Sequence, residues 1–192
     1  MRAKTGLVRR TARCVTAVWH CDQGNELVEF AVTLPIIAVL LIGILDFGMA
    51  INRKQELNNA AREGARWAVQ EGTIDLTQTT PPSILSVRDV IVNYLNNAHV
   101  NTCGLASAAP TNSGQGSWTF TANTGCPGTL TLVIDRGGQV TVGGMLVGVT
   151  HVSLQYPYAW HFGRAITLIA PGAKFPSLSQ LSSDAYMPQL GG

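Results

Sequence analysis

Glu29 lies at the boundary between a polar segment and a long apolar one, because residues 30–45 contain no charged side chain. A charge at the centre of a membrane helix costs on the order of 2.5–3.5 kcal/mol on insertion scales, and less near an interface. Such a carboxylate is most easily tolerated when it meets a cationic partner. Alternatively, Glu26 and Glu29 are acids in a first helical turn that favour the helix dipole. The position of Glu29 therefore indicates either an ion pair or a helix-dipole interaction.

The spacing around Glu29 favours the ion pair. Gly24 is followed by four residues, then Glu29, then Phe30 and the apolar run. With the basic leader before it, this arrangement resembles the processing site of type IV prepilins, which a membrane-embedded aspartic peptidase cuts after the glycine. A cut there would create the α-amino group of Asn25 about one helical turn from Glu29. In a helical assembly Glu29 could instead meet the terminal amine of a neighbouring subunit. We predict Gly24 and Asn25 as processing residues and Glu29 as an assembly residue.

The remaining matches to catalytic motifs do not carry chemistry. Residues 46–48 spell the kinase tripeptide Asp-Phe-Gly, but they sit in the apolar segment with no catalytic-loop motif upstream. Residues 143–150 have phosphate-loop spacing, but Val149 replaces the required lysine. His151 and His161 do not have the spacing of metal ligands. We therefore predict no catalytic residues, no metal, no cofactor and no enzymatic activity.

Composition and charge indicate a folded chain with a basic leader. Of the 192 residues, 46% are hydrophobic and 12% are charged, which argues against disorder and against nucleic-acid binding. The net charge of +2 is unevenly distributed, because residues 1–24 carry five basic residues and one acidic residue. The positive charge therefore belongs to a leader and not to a binding surface.

Residues 25–51 are predicted to form a transmembrane helix. The stretch 30–51 would rise about 33 Å as a helix, enough to cross a bilayer. The leader cations should stay in the cytoplasm, which places the C-terminal part outside. An alternative is a secretory signal cleaved after Ala50, where small residues occupy the cleavage positions. A further alternative is a single-pass anchored adhesion or interaction domain that is never processed.

The resemblance to pilin-like proteins extends beyond the predicted cut site after Gly24. Three segments, 29–36, 46–48 and 57–66, are similar to the TadE-like family, above all at Ala60-Ala-Arg-Glu-Gly-Ala-Arg66. These are pilin-like proteins of the bacterial tight-adherence (Tad/Flp) pilus apparatus. The resemblance implies a pseudopilin or minor-pilin role in the inner membrane. Its implied partners are the prepilin peptidase, other pilin-like subunits and Tad pilus assembly proteins.

Residues 52–71 are predicted to continue the helix outside the membrane. Ala60, Gly64 and Ala68 recur at every fourth position and form a stripe of small residues that permits close helix approach. The alternative is an ordinary alanine-rich surface helix. An unbroken helix from residue 25 to residue 69 would measure about 67 Å.

Residues 72–170 are predicted to form an exported α+β domain, which makes the whole chain α+β. Ser83 is placed to cap a second helix, and period-two alternation predicts strands at 118–121, 130–134, 139–142 and 147–156. Residues 135–138 have the character of a hairpin turn. Residues 171–192, rich in Pro, Ser and Gly, are predicted to be irregular.

The four cysteines fall into two pairs. Cys14 and Cys21 lie in the leader and should meet a reducing cytoplasm. Cys103 and Cys126 lie in the predicted exported domain, where a disulfide is permitted. We therefore predict a disulfide between Cys103 and Cys126.

Overall fold

The first element is a single long helix. The computed structural model describes residues 22–72, 74–114, 116–170, 172 and 176–189, so most of the predicted leader, with Cys14 and Cys21, lies outside the described residues. Helix α1 (Asp22–Gln70) has 49 residues and rises about 73 Å. It joins the predicted membrane segment and the predicted extension, with Pro35 inside it.

The second helix, α2 (Pro82–Asn97), packs on the C-terminal half of α1 through Val87, Ile91 and Leu95. The prediction that Ser83 caps this helix is wrong, because the N-cap residue is Pro81 and α2 begins with Pro82. With Pro81 and Pro82 the helix starts two residues earlier than a Ser83 cap would give, since proline is well suited to the first helical turn. Ser83 instead hydrogen-bonds Asp75.

The remaining chain forms one antiparallel meander of five strands in the order β1-β2-β3-β4-β5. A short 3₁₀ turn (Leu105–Ser107) precedes it, and helix α3 (Phe162–Ile169) connects its last two strands. The strands are β1 (Thr111–Gly114), β2 (Ser117–Ala122), β3 (Leu130–Val142), β4 (Met145–Ala159) and β5 (Leu178–Pro188). This architecture confirms the predicted α+β class with a long N-terminal helix and an antiparallel sheet.

The hairpin turn is not at residues 135–138, so that prediction is wrong. The two predicted strands there are one strand, β3, whose register with β4 shifts between Asp135 and Gly138. The turn lies at Gly143 and Gly144, which have φ angles of 59° and 84°. Two-residue hairpin turns that match the twist of the sheet favour positive φ at both positions, which glycine adopts without strain. The earlier glycine pair, Gly137 and Gly138, instead lies at the bulge of β3 that follows Arg136.

The prediction that residues 171–192 are irregular is also wrong for β5, which pairs with β4 along its whole length. Residues of β5 point alternately toward and away from α1. Ser183 and Ala185 are buried on the inner face, and the Ser183 hydroxyl donates a 2.6 Å hydrogen bond to the Asn58 side-chain oxygen of α1. The small side chains of Ser183 and Ala185 let α1 lie close to β5. Because these buried residues are small and one is polar, the sequence of β5 does not show a hydrophobic pattern typical of a buried strand.

The core lies between the inner face of the sheet and the two long helices. Many of its largest side chains are fully buried, and they come from α1, α2 and the sheet. They are Leu57 of α1, Ile84, Ile91 and Leu95 of α2, and Trp118, Phe120, Leu132, Ile134 and Leu154 of the sheet. Only the C-terminal half of α1 takes part in this core.

Candidate functional site

The N-terminal half of α1 is apolar and, apart from the side that lies against α3, uncovered by the described chain. The helix is long and apolar enough to cross a membrane, and none of its most apolar stretch is buried. Large side chains such as Leu27, Phe30 and Leu45 are more than half exposed. Contact with water would be unfavourable for a surface of this size. This half of α1 therefore requires a partner that is itself apolar.

Glu29 is exposed on this apolar half, one helical turn after Asn25 along the backbone. Gly24 and Asn25 lie in the first turn of α1. The three predicted processing and assembly residues therefore lie within the first turns of the described helix. Their roles stay predictions.

The small-residue stripe lies at the opposite end of α1 and faces the core of the same chain. Ala60 and Ala68 are fully buried. A Cβ atom added at Gly64 would lie 2.6 Å from the Cδ1 and Cγ1 atoms of Ile91 in α2. The absence of a side chain at Gly64 therefore sets how closely α1 and α2 approach. The stripe packs α1 within its own subunit.

Asp46 joins α1 to the sheet domain. Its carboxylate is 1% exposed and accepts hydrogen bonds from the backbone N–H groups of His161 at 2.8 Å and Phe162 at 2.9 Å. The Tyr158 hydroxyl donates a third, at 3.0 Å, and His161 Nδ1 lies 3.3 Å away. His161 is the N-cap residue of α3 and Phe162 is its first residue, and the N–H groups at the start of a helix need acceptors. Asp46 therefore caps α3 from another helix.

Helix α3 runs back along α1 from this cap. A Cβ atom at Gly43 would lie 2.9 Å from the Phe162 ring, so α1 and α3 are in close contact there. One turn further on, Ile166 and Ala170 line the same pocket as Ile36 and Val39 of α1. The sequence gives no signal for this junction, because Asp46 lies in an apolar segment and no residue near it indicates a contact with α3.

Beside this junction lies an apolar cavity of about 940 Å³. Residues of α1 form one wall, and Trp160 and Phe162 form much of the other. The α1 wall consists of Ile36, Val39, Leu40, Gly43, Ile44 and Phe47.

A second polar cluster fixes the far end of α1. The Arg136 guanidinium donates to the backbone carbonyls of Glu71 at 2.6 Å and Gly72 at 2.9 Å, and it lies 3.3 Å from the Ser83 hydroxyl. These carbonyls directly follow α1, so Arg136 neutralises the negative end of the helix dipole. Asp75 accepts hydrogen bonds from the Ser83 N–H and hydroxyl at 2.7 and 2.8 Å.

The electrostatics of this cluster follow from its contacts. Burial alone would raise the pKa of Asp75, but the Ser83 hydrogen bonds and the Arg136 charge hold that pKa below its usual value. Burial lowers the pKa of Arg136, against the opposing effect of Asp75 and Glu71. The sequence carried one signal for this cluster, since Asp135 and Arg136 are the only charged residues between Val90 and Gly163.

Cys103 and Cys126 form a disulfide with Cα atoms 5.4 Å apart. It links the segment after α2 to the loop before β3, and the Thr124 N–H also donates to the Cys103 carbonyl at 2.8 Å. Cys103 is fully buried.

His151 and Asp184 form an exposed pair, with Nε2 and Oδ1 3.0 Å apart. Hydrogen bonds from Ser153 and His151 hold the pKa of Asp184 below its usual value, although burial opposes them. Among the described residues, no group of three or more His, Cys, Asp or Glu side chains could hold a metal ion.

Most of helix α1 also shows similarity to known proteins. Residues 24–66 match the family model of TadE-like proteins. This match confirms the predicted resemblance, and it runs from the proposed cut site through the uncovered half of α1 to the small-residue stripe. The match covers 43 of the 192 residues, so the similarity is one of this N-terminal part of the chain. Comparison with curated proteins and with solved structures gives no match.

Proposed function

We propose that this chain is a TadE-like pseudopilin or minor pilin that acts in assembly of a tight-adherence pilus. The observation that carries the proposal is the coincidence of two features on α1. The family match begins at Gly24, and the helix that follows is apolar yet largely uncovered by the described part of its own chain. A membrane before assembly, and neighbouring helices after it, provide the apolar surroundings that this half of α1 requires.

Processing after Gly24 by a prepilin peptidase would give Glu29 its partner. The new α-amino group of Asn25 is a cation one helical turn from the Glu29 carboxylate. In an assembly the same carboxylate would pair with the amine of an adjacent subunit. Exchange of one amine for the other would link release from the membrane to addition to the pilus.

The orientation in this proposal has a cytoplasmic N-terminus and an exported sheet domain, with α1 in the bacterial inner membrane. The basic leader supports this direction. The Cys103–Cys126 disulfide supports it independently, because disulfides persist in oxidising compartments.

The contacts of Asp46 support retention of α1. Cleavage after Ala50 would remove the carboxylate that caps α3 and also remove Ala50, which is itself buried. The secreted alternative would therefore lose part of its own domain structure.

The direct test is the N-terminus of the membrane-extracted protein, measured by intact mass and terminal peptide mapping with and without the cognate peptidase. We expect a peptidase-dependent start at Asn25. A start at Met1 with active peptidase would instead favour the unprocessed anchored domain, and a start at Ile51 would favour the secreted protein. Either result would refute the proposal.

Two matched pairs of variants sharpen this test. Gly24→Val should abolish the cut, whereas Gly48→Val should not, because a Cβ at Gly48 meets no atom within 4 Å. Glu29→Gln should be cleaved but lost from the sheared pilus fraction. Glu26→Gln is its control, since both side chains are exposed. Equal incorporation of the two Gln variants would contradict the assembly role of Glu29.

A further inference from the structure

Helix α3 lies at the level of the membrane segment. Its first residue, Phe162, contacts α1 at Gly43, and its later residue Ile166 lies at Ile36 and Val39. Eight helical residues rise about 12 Å, and the interval between Ile36 and Gly43 on α1 rises about 10 Å. The two helices therefore run side by side in opposite directions over this interval.

This interval is inside any stretch of α1 that could cross a bilayer. About 20 residues are needed for a span of about 30 Å. The polar groups at Asp46 set the outer end of the span better than Ile51 does, because Tyr158 and the start of α3 surround that carboxylate. A span that ends near Asp46 begins near Leu27, and Ile36 then lies close to its midplane.

We propose that α3 is inserted into the outer leaflet of the membrane beside the transmembrane part of α1. This inference rests on the membrane anchor in the proposed function. The occupant of the apolar cavity between α1, Trp160 and Phe162 is then lipid acyl chain, continuous with the bilayer around the exposed half of α1.

The composition and contacts of α3 suit this environment. Its only charged residue is Arg164, which is exposed and near the end of α3 that starts at Asp46. A long cationic side chain there reaches headgroup phosphates while its stem stays in the apolar region. Trp160 adjoins the same end, and tryptophan is enriched at membrane–water interfaces.

Asp46 fits the same arrangement. A carboxylate at this depth is unfavourable unless its hydrogen-bonding capacity is satisfied within the protein. Two backbone N–H groups and the Tyr158 hydroxyl satisfy it. The cap thus satisfies the polar groups at the N-terminal end of α3, where the helix enters the leaflet.

The test is depth-dependent quenching in proteoliposomes made with phospholipids brominated on their acyl chains. The full chain carries Cys14→Ser and Cys21→Ser, keeps its disulfide oxidised, and receives one fluorescent label at Thr167→Cys. Thr167 is suitable because its side chain is exposed. Two further labels calibrate the result, Ile37→Cys on the apolar half of α1 and Gln139→Cys on β3, both at exposed positions.

We expect the labels at Thr167 and Ile37 to lose fluorescence in brominated vesicles, and the label at Gln139 to keep it. If Thr167 behaves like Gln139 while Ile37 is quenched, α3 is outside the membrane and this inference is wrong, although the anchor stands. If Ile37 is not quenched either, the anchor in the proposed function fails. A Thr167 label shielded from an aqueous quencher but insensitive to brominated lipid would show a protein surface on α3, which also overturns the inference.

Discussion

Removal of the Asp46 carboxylate should release α3 from α1. Hydrogen bonds to a charged acceptor contribute about 1.5–3 kcal/mol each. The bonds from the N–H groups of His161 and Phe162 alone then amount to about 3–6 kcal/mol. In the wild type, burial of the carboxylate costs free energy, and Asp46→Ala removes that cost. This gain offsets part of the lost hydrogen-bond energy, so we expect a net loss of about 3 kcal/mol, the lower end of the range.

Amide hydrogen exchange of the protein in nanodiscs, read by mass spectrometry on peptides covering α3, measures this change. A loss of about 3 kcal/mol should speed exchange in α3 on the order of 100-fold, since each 1.4 kcal/mol is a factor of ten. Asp46→Asn keeps one carbonyl oxygen as acceptor and should give an intermediate rate.

Glu63→Ala is the control on the same helix, because the only contact of Glu63 among the described residues is an exposed pair with Arg66 at 3.7 Å. Such pairs contribute little to stability. If Asp46→Ala leaves α3 exchange as slow as Glu63→Ala does, the carboxylate does not hold the two helices together and the reasoning from its hydrogen bonds is wrong.

Three further predictions concern the sheet domain and its packing on α1. Replacing both Cys103 and Cys126 with alanine should lower the free energy of unfolding by about 3 kcal/mol, because the cross-link closes a loop with a sequence separation of 23. Gly64→Ala should lower it by about 1–3 kcal/mol, because the added methyl group collides with α2. The pKa of Asp75 in the folded chain lies below the usual 3.8. Its contribution to stability is therefore present above that usual value and lost as pH falls through the lowered pKa. The stability difference between the wild type and Asp75→Asn should therefore be constant near neutral pH and shrink as the pH falls below 3.8.

Denaturant titration in detergent solution measures all three, and each has a control. Reduced wild type should match the double alanine variant, and an unchanged midpoint on reduction would contradict the contribution of the disulfide. Gly48→Ala should be neutral or stabilise by up to about 1 kcal/mol, since its site is open. If both glycine variants behave alike, the close approach of α1 and α2 is not set by Gly64. For Asp75, a difference that is constant across the pH range would refute the argument from its pKa.

Much of the architecture was predictable because its signals are local. The apolar run and the small residues at every fourth position indicate one long helix, and α1 is one helix. Period-two alternation gives the positions of β2 and β4 and of the two ends of β3, although not its continuity. These patterns repeat within a few residues, so they can be recognised without knowledge of the fold.

The features that were missed depend on partners far along the chain. Asp46 contacts residues more than a hundred positions later in the chain, and no residue near it in the sequence indicates that it caps α3. Arg136 lies in a Gly-containing stretch that is typical of a turn, and only the end of α1 explains why it points inward. The two buried residues of β5 are Ser183 and Ala185, which have small side chains, so the burial of this strand is hidden from a hydrophobicity pattern.

Asp46 and Arg136 hold α1 at two levels, and this has a mechanical consequence. The carbonyl of Glu71, which Arg136 binds, lies 25 residues beyond Asp46, or about 37 Å along the helix. A force along α1 would load both polar attachments and the packed face between them together, as in shear, whereas a force that peels the helix away would load them one after the other. A subunit drawn out of the bilayer by its helix would therefore carry its sheet domain with it as one body.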